Sequence, residues 1–138
     1  DNQTLNIGKT VITALETPGH TDSCMSFKLD NAVFTGDTLL IRGCGRTDFQ
    51  SGSSKKLYES VHNKLYTLPN DTTVYPAHDY NGQISTTIGE EKHFNPRLNL
   101  NISKKQFQSI MDNLGLPEPK LIKTAVPANQ LAGKGMKP

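Results

Sequence analysis

Apolar and polar positions along the chain change period several times, and each change marks an element. The chain opens on a strand-like segment. Lys9 to Glu16 (KTVITALE) then alternates Val11, Thr13 and Leu15 with Thr10, Ile12 and Ala14. That pattern predicts a strand apolar on both faces and buried between layers. Cys24 to Leu29 and Ala32 to Thr35 are two further β-rich runs, joined by Asp30-Asn31, a pair that tolerates positive φ and suits a two-residue hairpin. Gly43 to Gly52 is rich in glycine and polar residues and reads as a loop of functional length.

Helical spacing follows. Leu57, Val61, Leu65 and Leu68 recur on one face of Ser53 to Leu68, and Pro69-Asn70-Asp71 stops the run. Thr73 to Tyr75 is a short strand, Ile84 to Lys92 a weaker helix. Ser103 to Leu114 is a third helix, with an S-x-x-Q capping box at Ser103 and Gln106 and Gly115 closing it. Beyond Pro117 the periodicity fades, and Leu121 to Pro127 is expected to pack as an extended segment. Strands first and helices alternating later place the chain in a layered α/β class, with too few strands for a free-standing two-sheet sandwich.

Composition narrows the function. With 15 basic against 13 acidic residues, a net charge of +2 and no basic run, the chain does not read as a nucleic-acid binder. No apolar stretch approaches the roughly 20 residues that span a bilayer, and no signal-peptide pattern opens the chain. The first residue is not Met, so the chain reads as a fragment. Its two cysteines, Cys24 and Cys44, cannot form a disulfide framework and favour a reducing compartment. Cys24 reads as a small buried residue of its strand.

Three segments carry chemistry: Thr17-Pro-Gly-His20, Thr35-Gly-Asp37 and Tyr75-Pro-Ala-His78-Asp79-Tyr80. Each sets a His or Asp just after a predicted strand, where rigid strands fix side-chain directions. Imidazole with carboxylate is a ligand set for divalent zinc, iron or manganese. Singly, such residues are commonly structural. In this order they match the second half of the metal-ligand series of the metallo-β-lactamase superfamily.

The resemblance is closer still. The strings F-T-G-D-T-L-L-I-R-G-C-G-R-T-D-F, Y-P-A-H-D-Y-N-G, E-E-x-x-x-N-P-R-L and A-V-P-A-N make the chain similar, from about Glu16 to Asn129, to the persulfide dioxygenases, of the kind lost in ethylmalonic encephalopathy. The resemblance implies an αββα sandwich, of which residues 1–138 supply roughly the C-terminal half. It implies one Fe(II) per complete domain, with His20 as the second histidine ligand and Asp37 as the carboxylate of a facial triad, both therefore catalytic. The first histidine belongs to an H-x-H-x-D-H motif that this chain lacks, so the fragment alone is expected to be inactive.

Further roles rest on the same likeness. His78 is expected beside the metal rather than on it, and Tyr80 and Arg97 are expected to hold glutathione. A guanidinium can grip a carboxylate bidentately and a phenol can donate to substrate. Read from the residues themselves, Arg46 and Asp48 are expected to hold their loop beside Asp37 as an internal salt bridge rather than to contact substrate directly, and Asp48 and Thr47 could also orient a ligand. The implied substrates are glutathione persulfide and O₂, with no nucleic acid or membrane partner. Homo-oligomerisation is left open, and the setting is bacterial cytoplasm or mitochondrial matrix. The rivals are a dinuclear hydroxyacylglutathione hydrolase of the glyoxalase II type and a metal-free remnant.

Overall fold

The computed structural model describes residues 1–49 and 51–132. Its centre is one six-stranded mixed sheet in sequential order: β1 (Gln3–Ile7), β2 (Thr10–Glu16), β3 (Met25–Leu29), β4 (Ala32–Gly36), β5 (Thr73–Pro76) and β6 (Thr86–Thr87). All neighbours are antiparallel except β4 and β5, which run parallel. That pairing needs a crossover, supplied by α1 (Ser54–Asn63). Asp30 takes φ 45° in the β3–β4 turn, as its position in the hairpin demands.

The helices cover one face only. α1 is capped by the Ser53 side chain, which accepts from Lys56 N–H, and it buries Leu57 and Val61 against Val33 and Val74 of the sheet. It ends at Asn63, and a short 3₁₀ turn, Leu65–Thr67, carries the rest of the expected apolar face. α2 (Ile88–Phe94) begins later than Ile84, because Thr86 and Thr87 pair with β5 and Thr87 closes a capping box with Glu90. α3 (Lys104–Asp112) has the expected Ser103–Gln106 box and buries Phe107 and Met111. The expectation for Leu121 to Pro127 fails: α4 spans Ile122–Gln130. Pro127 sits inside this helix and cannot donate to the carbonyl four residues back, a cost the short helix carries.

The other face of the sheet has no layer over it among the described residues. Cross-strand register puts Leu5, Ile12, Phe27, Phe34 and Tyr75 on it together. Phe27 and Phe34 are 40% and 46% exposed, and Ile7 on the same face 66%. β2 is therefore not buried between two layers within this chain, although its sequence is written for that place. Cys24 also departs from expectation: it lies half-exposed just before β3 with its thiol 3.1 Å from the Thr21 hydroxyl. A contiguous apolar sheet face of this kind marks a packing surface. No helix among the described residues is long and apolar enough to cross a membrane.

Candidate active site

β2, β4 and β5 run in the same direction, so their C-terminal ends lie along one edge of the sheet. His20, Asp37 and His78 follow those three ends. The turn carrying His20 is seated on the start of α1, where Ser53 N–H donates to the Gly19 carbonyl at 2.7 Å. Gly19 is at φ +150°, and a Cβ there would stand 2.3 Å from the Leu57 backbone, so only glycine fits. Beneath the turn, Thr38 donates its hydroxyl to the Thr17 carbonyl at 3.0 Å, and the Thr17 and Ser26 hydroxyls share a bond of 2.8 Å. The TPGH and TGD segments are thereby fastened to each other in the core.

His20 and Asp37 face one another, with Nε2 3.6 Å from Oδ2. His20 Nδ1 lies 2.7 Å from the Arg46 carbonyl. A carbonyl only accepts, so Nδ1 is the donor and Nε2 is the nitrogen that faces Asp37. Tying the distal nitrogen to a carbonyl in this way is how metal-binding histidines are oriented. His78 Nδ1 donates to Asp37 Oδ1 at 2.6 Å. Its ring therefore positions the carboxylate through a protonated nitrogen. Among the described residues no group of three or more His, Cys, Asp or Glu side chains is arranged to hold a metal. His20 Nε2 and Asp37 Oδ2 fit two positions of such a site.

The loop after β4 holds this geometry. Gly45 N–H donates to the Asp37 carbonyl at 2.7 Å, and a Cβ on Gly45 would meet that oxygen at 2.4 Å and His20 Nδ1 at 2.9 Å. Arg46 grips Asp48 through two bonds of 2.7 Å, lies over the Phe49 ring at 4.2 Å and donates to the Pro117 carbonyl at 3.0 Å. The hydrogen bond from Arg46 holds the Asp48 carboxyl below its usual range. The expected Arg46–Asp48 pair is thus present, and it works on the site through the Arg46 backbone. Gln50, in the same loop, lies outside the described residues.

A cavity of about 540 Å³ opens onto His20 and Asp37, and Arg97, His78 and Tyr80 line it with Cys44. Arg97 has no carboxylate within 4 Å among the described residues. Tyr80 is 85% exposed at the mouth, parallel to the His78 ring at 6.4 Å. Asp79 shapes that turn by accepting from Asn81 and Gln83 N–H, bonds that hold its carboxyl below its usual range.

Sequence reasoning missed the anchor behind the loop. Glu91 is wholly buried and accepts from Arg42 N–H at 3.0 Å, from the Arg42 guanidinium, from Thr86 at 2.9 Å and from Asn95 Nδ2 at 2.8 Å. The signal was present in E-E-x-x-x-N, whose i, i+4 spacing sets Glu91 and Asn95 on one face of a helical turn.

Burial pushes the Cys44 thiol up to about 11, against an opposing pull from Arg97. At pH 8 only about one thiol in a thousand is then the reactive thiolate. Iodoacetamide at pH 8 is expected to modify Cys24 and spare Cys44 until the chain is denatured. Peptide mass spectrometry reads the outcome, and rapid labelling of native Cys44 would contradict its burial.

Three comparisons place the chain among known proteins. The model of the family described as Metallo-beta-lactamase superfamily matches residues 3–78. The human protein named persulfide dioxygenase ETHE1, mitochondrial, is 50% identical over 135 residues, covering 96% of this chain and 52% of that protein. The crystal structure of ETHE1 from Myxococcus xanthus superposes with a TM-score of 0.90 at 52% identity, covering 96% of this chain and 58% of that one. Glyoxylase B2 of Dictyostelium discoideum is 32% identical over 97% of this chain. The chain spans about half the length of the curated relatives it matches.

Proposed function

The chain belongs to the metallo-beta-lactamase superfamily and has its fold, and we propose that it is part of a glutathione-dependent persulfide dioxygenase. In that reading glutathione persulfide, O₂ and water give glutathione, sulfite and two protons. The observation that carries it is a guanidinium without a carboxylate partner among the described residues, Arg97, lining the cavity that holds His20 and Asp37. A relative named persulfide dioxygenase, half identical over nearly the whole chain, supports the same assignment.

His20 Nε2 and Asp37 Oδ2 would hold one iron, completed by a histidine from the part of the relatives' length that this chain does not span. Iron supplies what zinc cannot, a redox metal able to pass electrons to O₂. The residues present supply orientation. The Arg46 carbonyl engages Nδ1 of His20 and so turns Nε2 toward the site, and His78 holds the Asp37 carboxylate in place. Arg97 takes a glutathione carboxylate and Tyr80 donates a hydrogen bond at the mouth. Leu40, Ile41, Leu116 and Pro117 line the remaining wall with apolar surface that limits water.

A dinuclear hydrolase of the glyoxalase type would need a nitrogen of His78 free to face a metal bridged by Asp37. Here the nitrogen facing Asp37 is the protonated one, 2.6 Å from the carboxylate. Metal analysis of the complete protein separates the two readings: one iron supports the dioxygenase, two metals support the hydrolase.

Arg97→Ala tests it in the complete protein. A partly desolvated Arg–carboxylate pair contributes about 1.5–3 kcal/mol, so KM for glutathione persulfide is expected to rise roughly ten- to a hundredfold with iron content unchanged. Tyr80→Phe removes one neutral bond of about 1 kcal/mol and should raise KM by less. Steady-state kinetics with measured iron occupancy decides. An unchanged KM together with a lowered melting temperature would make Arg97 a structural residue.

A further inference from the structure

Asn95 is wholly buried, and its side-chain amide uses every hydrogen-bonding position it has. Nδ2 donates to the Gly43 carbonyl at 3.1 Å and to Glu91 Oε2 at 2.8 Å. Oδ1 accepts from the backbone N–H groups of Arg97 and Leu98, both at 3.0 Å. One planar amide therefore joins the loop on the metal side of the cavity to the segment that carries Arg97. On the loop side the connection runs on without a gap. Gly45 N–H holds the Asp37 carbonyl and the Arg46 carbonyl holds His20, each at 2.7 Å. On the other side, Arg97 stands two residues beyond Asn95 and lines the same cavity as Gly43 and Cys44.

We propose that Asn95 is a positioning residue that fixes the span between the Arg97 guanidinium and the His20–Asp37 pair, and so selects substrates by the distance between their carboxylate and their reacting sulfur. This rests on Arg97 as the carboxylate-binding group. A long guanidinium side chain on an untethered loop accepts carboxylates at many distances and discriminates little. Held at its root by a buried amide, it becomes a fixed reference point. Cysteine persulfide carries its carboxylate close to the sulfur, whereas those of glutathione persulfide stand several bonds further out. A fixed Arg97 distinguishes the two by reach.

The test compares the two persulfides on the complete iron-loaded protein. The ratio of their kcat/KM values does not depend on the fraction of protein that is folded or loaded. Asn95→Ser keeps an oxygen able to accept from the following backbone N–H groups but loses both Nδ2 bonds. Misplacing a positioning group by about 1 Å can cost a hundredfold, so the preference for glutathione persulfide is expected to fall roughly ten- to a hundredfold. The ratio of dissociation constants for glutathione and cysteine, measured by calorimetry without turnover, should fall in parallel. In an Arg97→Ala background Asn95→Ser should add nothing to the change in ratio.

Pro96→Gly gives a second route should the serine variant fail to fold. It loosens the same connection from an exposed position outside the amide's bonds, and it should shift the ratio in the same direction. Efficiencies that fall by one common factor in these variants, leaving the ratio intact, would overturn the proposal. So would an undiminished effect of Asn95→Ser when Arg97 is already alanine. If Arg97→Ala itself leaves the ratio at its starting value, the reading of Arg97 has failed first.

Discussion

Replacing Asp37 by alanine is expected to strip iron from the complete protein and abolish turnover while leaving the chain folded. The two consequences separate because the residue does two jobs with different atoms. Its backbone carbonyl accepts from Gly45 N–H and closes the loop, and alanine retains that bond. Its carboxylate faces His20 on one oxygen and His78 on the other, and makes no other side-chain bond among the described residues. Partners that merely orient a ligand are worth about 10- to 100-fold in metal affinity. A direct ligand, one of three, must exceed that, so dialysed Asp37→Ala should hold far less than one iron per chain. His78→Ala should show the milder loss, since it frees the carboxylate without removing it. Metal analysis beside a thermal melt separates the cases. An iron-replete, active Asp37→Ala protein would remove the ligand assignment.

The sequence reading reached the two facing residues because superfamily motifs are local. TPGH and TGD each pack a candidate ligand and its turn into four residues or fewer, and period-two runs just before them announce the strands that aim them. Arg46 and Asp48, two residues apart, were legible for the same reason. What stayed hidden is the connection between segments far apart in the chain. Nothing in Arg42 shows that its partner lies 49 residues on, nor that Asn95 bonds the carbonyl of Gly43. Burial was misjudged at β2, whose two-sided apolar pattern anticipates a layer that is not over it here. The helix at Ile122–Gln130 was hidden because the apolar periodicity fades beyond Pro117. The family strings marked where these features lie without giving their physical reason.

Glu91 is where that reason is concentrated, and Glu91→Ala should be the most destabilising single substitution near the site. The carboxylate is fully buried and its two oxygens accept four bonds: two from Arg42, one from Thr86 and one from Asn95. Alanine leaves those donors without their acceptor and the partly buried Arg42 guanidinium with only the more exposed Glu90 as counter-charge. Breaking one partner of such a buried pair costs about 3–5 kcal/mol. For a domain of this size that corresponds to a fall in melting temperature of roughly 10–20 °C. The damage should also be directional. Arg42 and Gly43 lean on this network, beside the Arg42–Glu90 pair and the Gly43–Leu40 bridge, while Gly45 and Arg46 keep their own bonds to Asp37, Asp48 and Pro117. Native Glu91→Ala protein should therefore lose the protection of its Cys44 thiol, which iodoacetamide labelling detects well below the melting temperature. A melting temperature within about 2 °C of the parent, with Cys44 still protected, would show that the loop stands without its buried carboxylate.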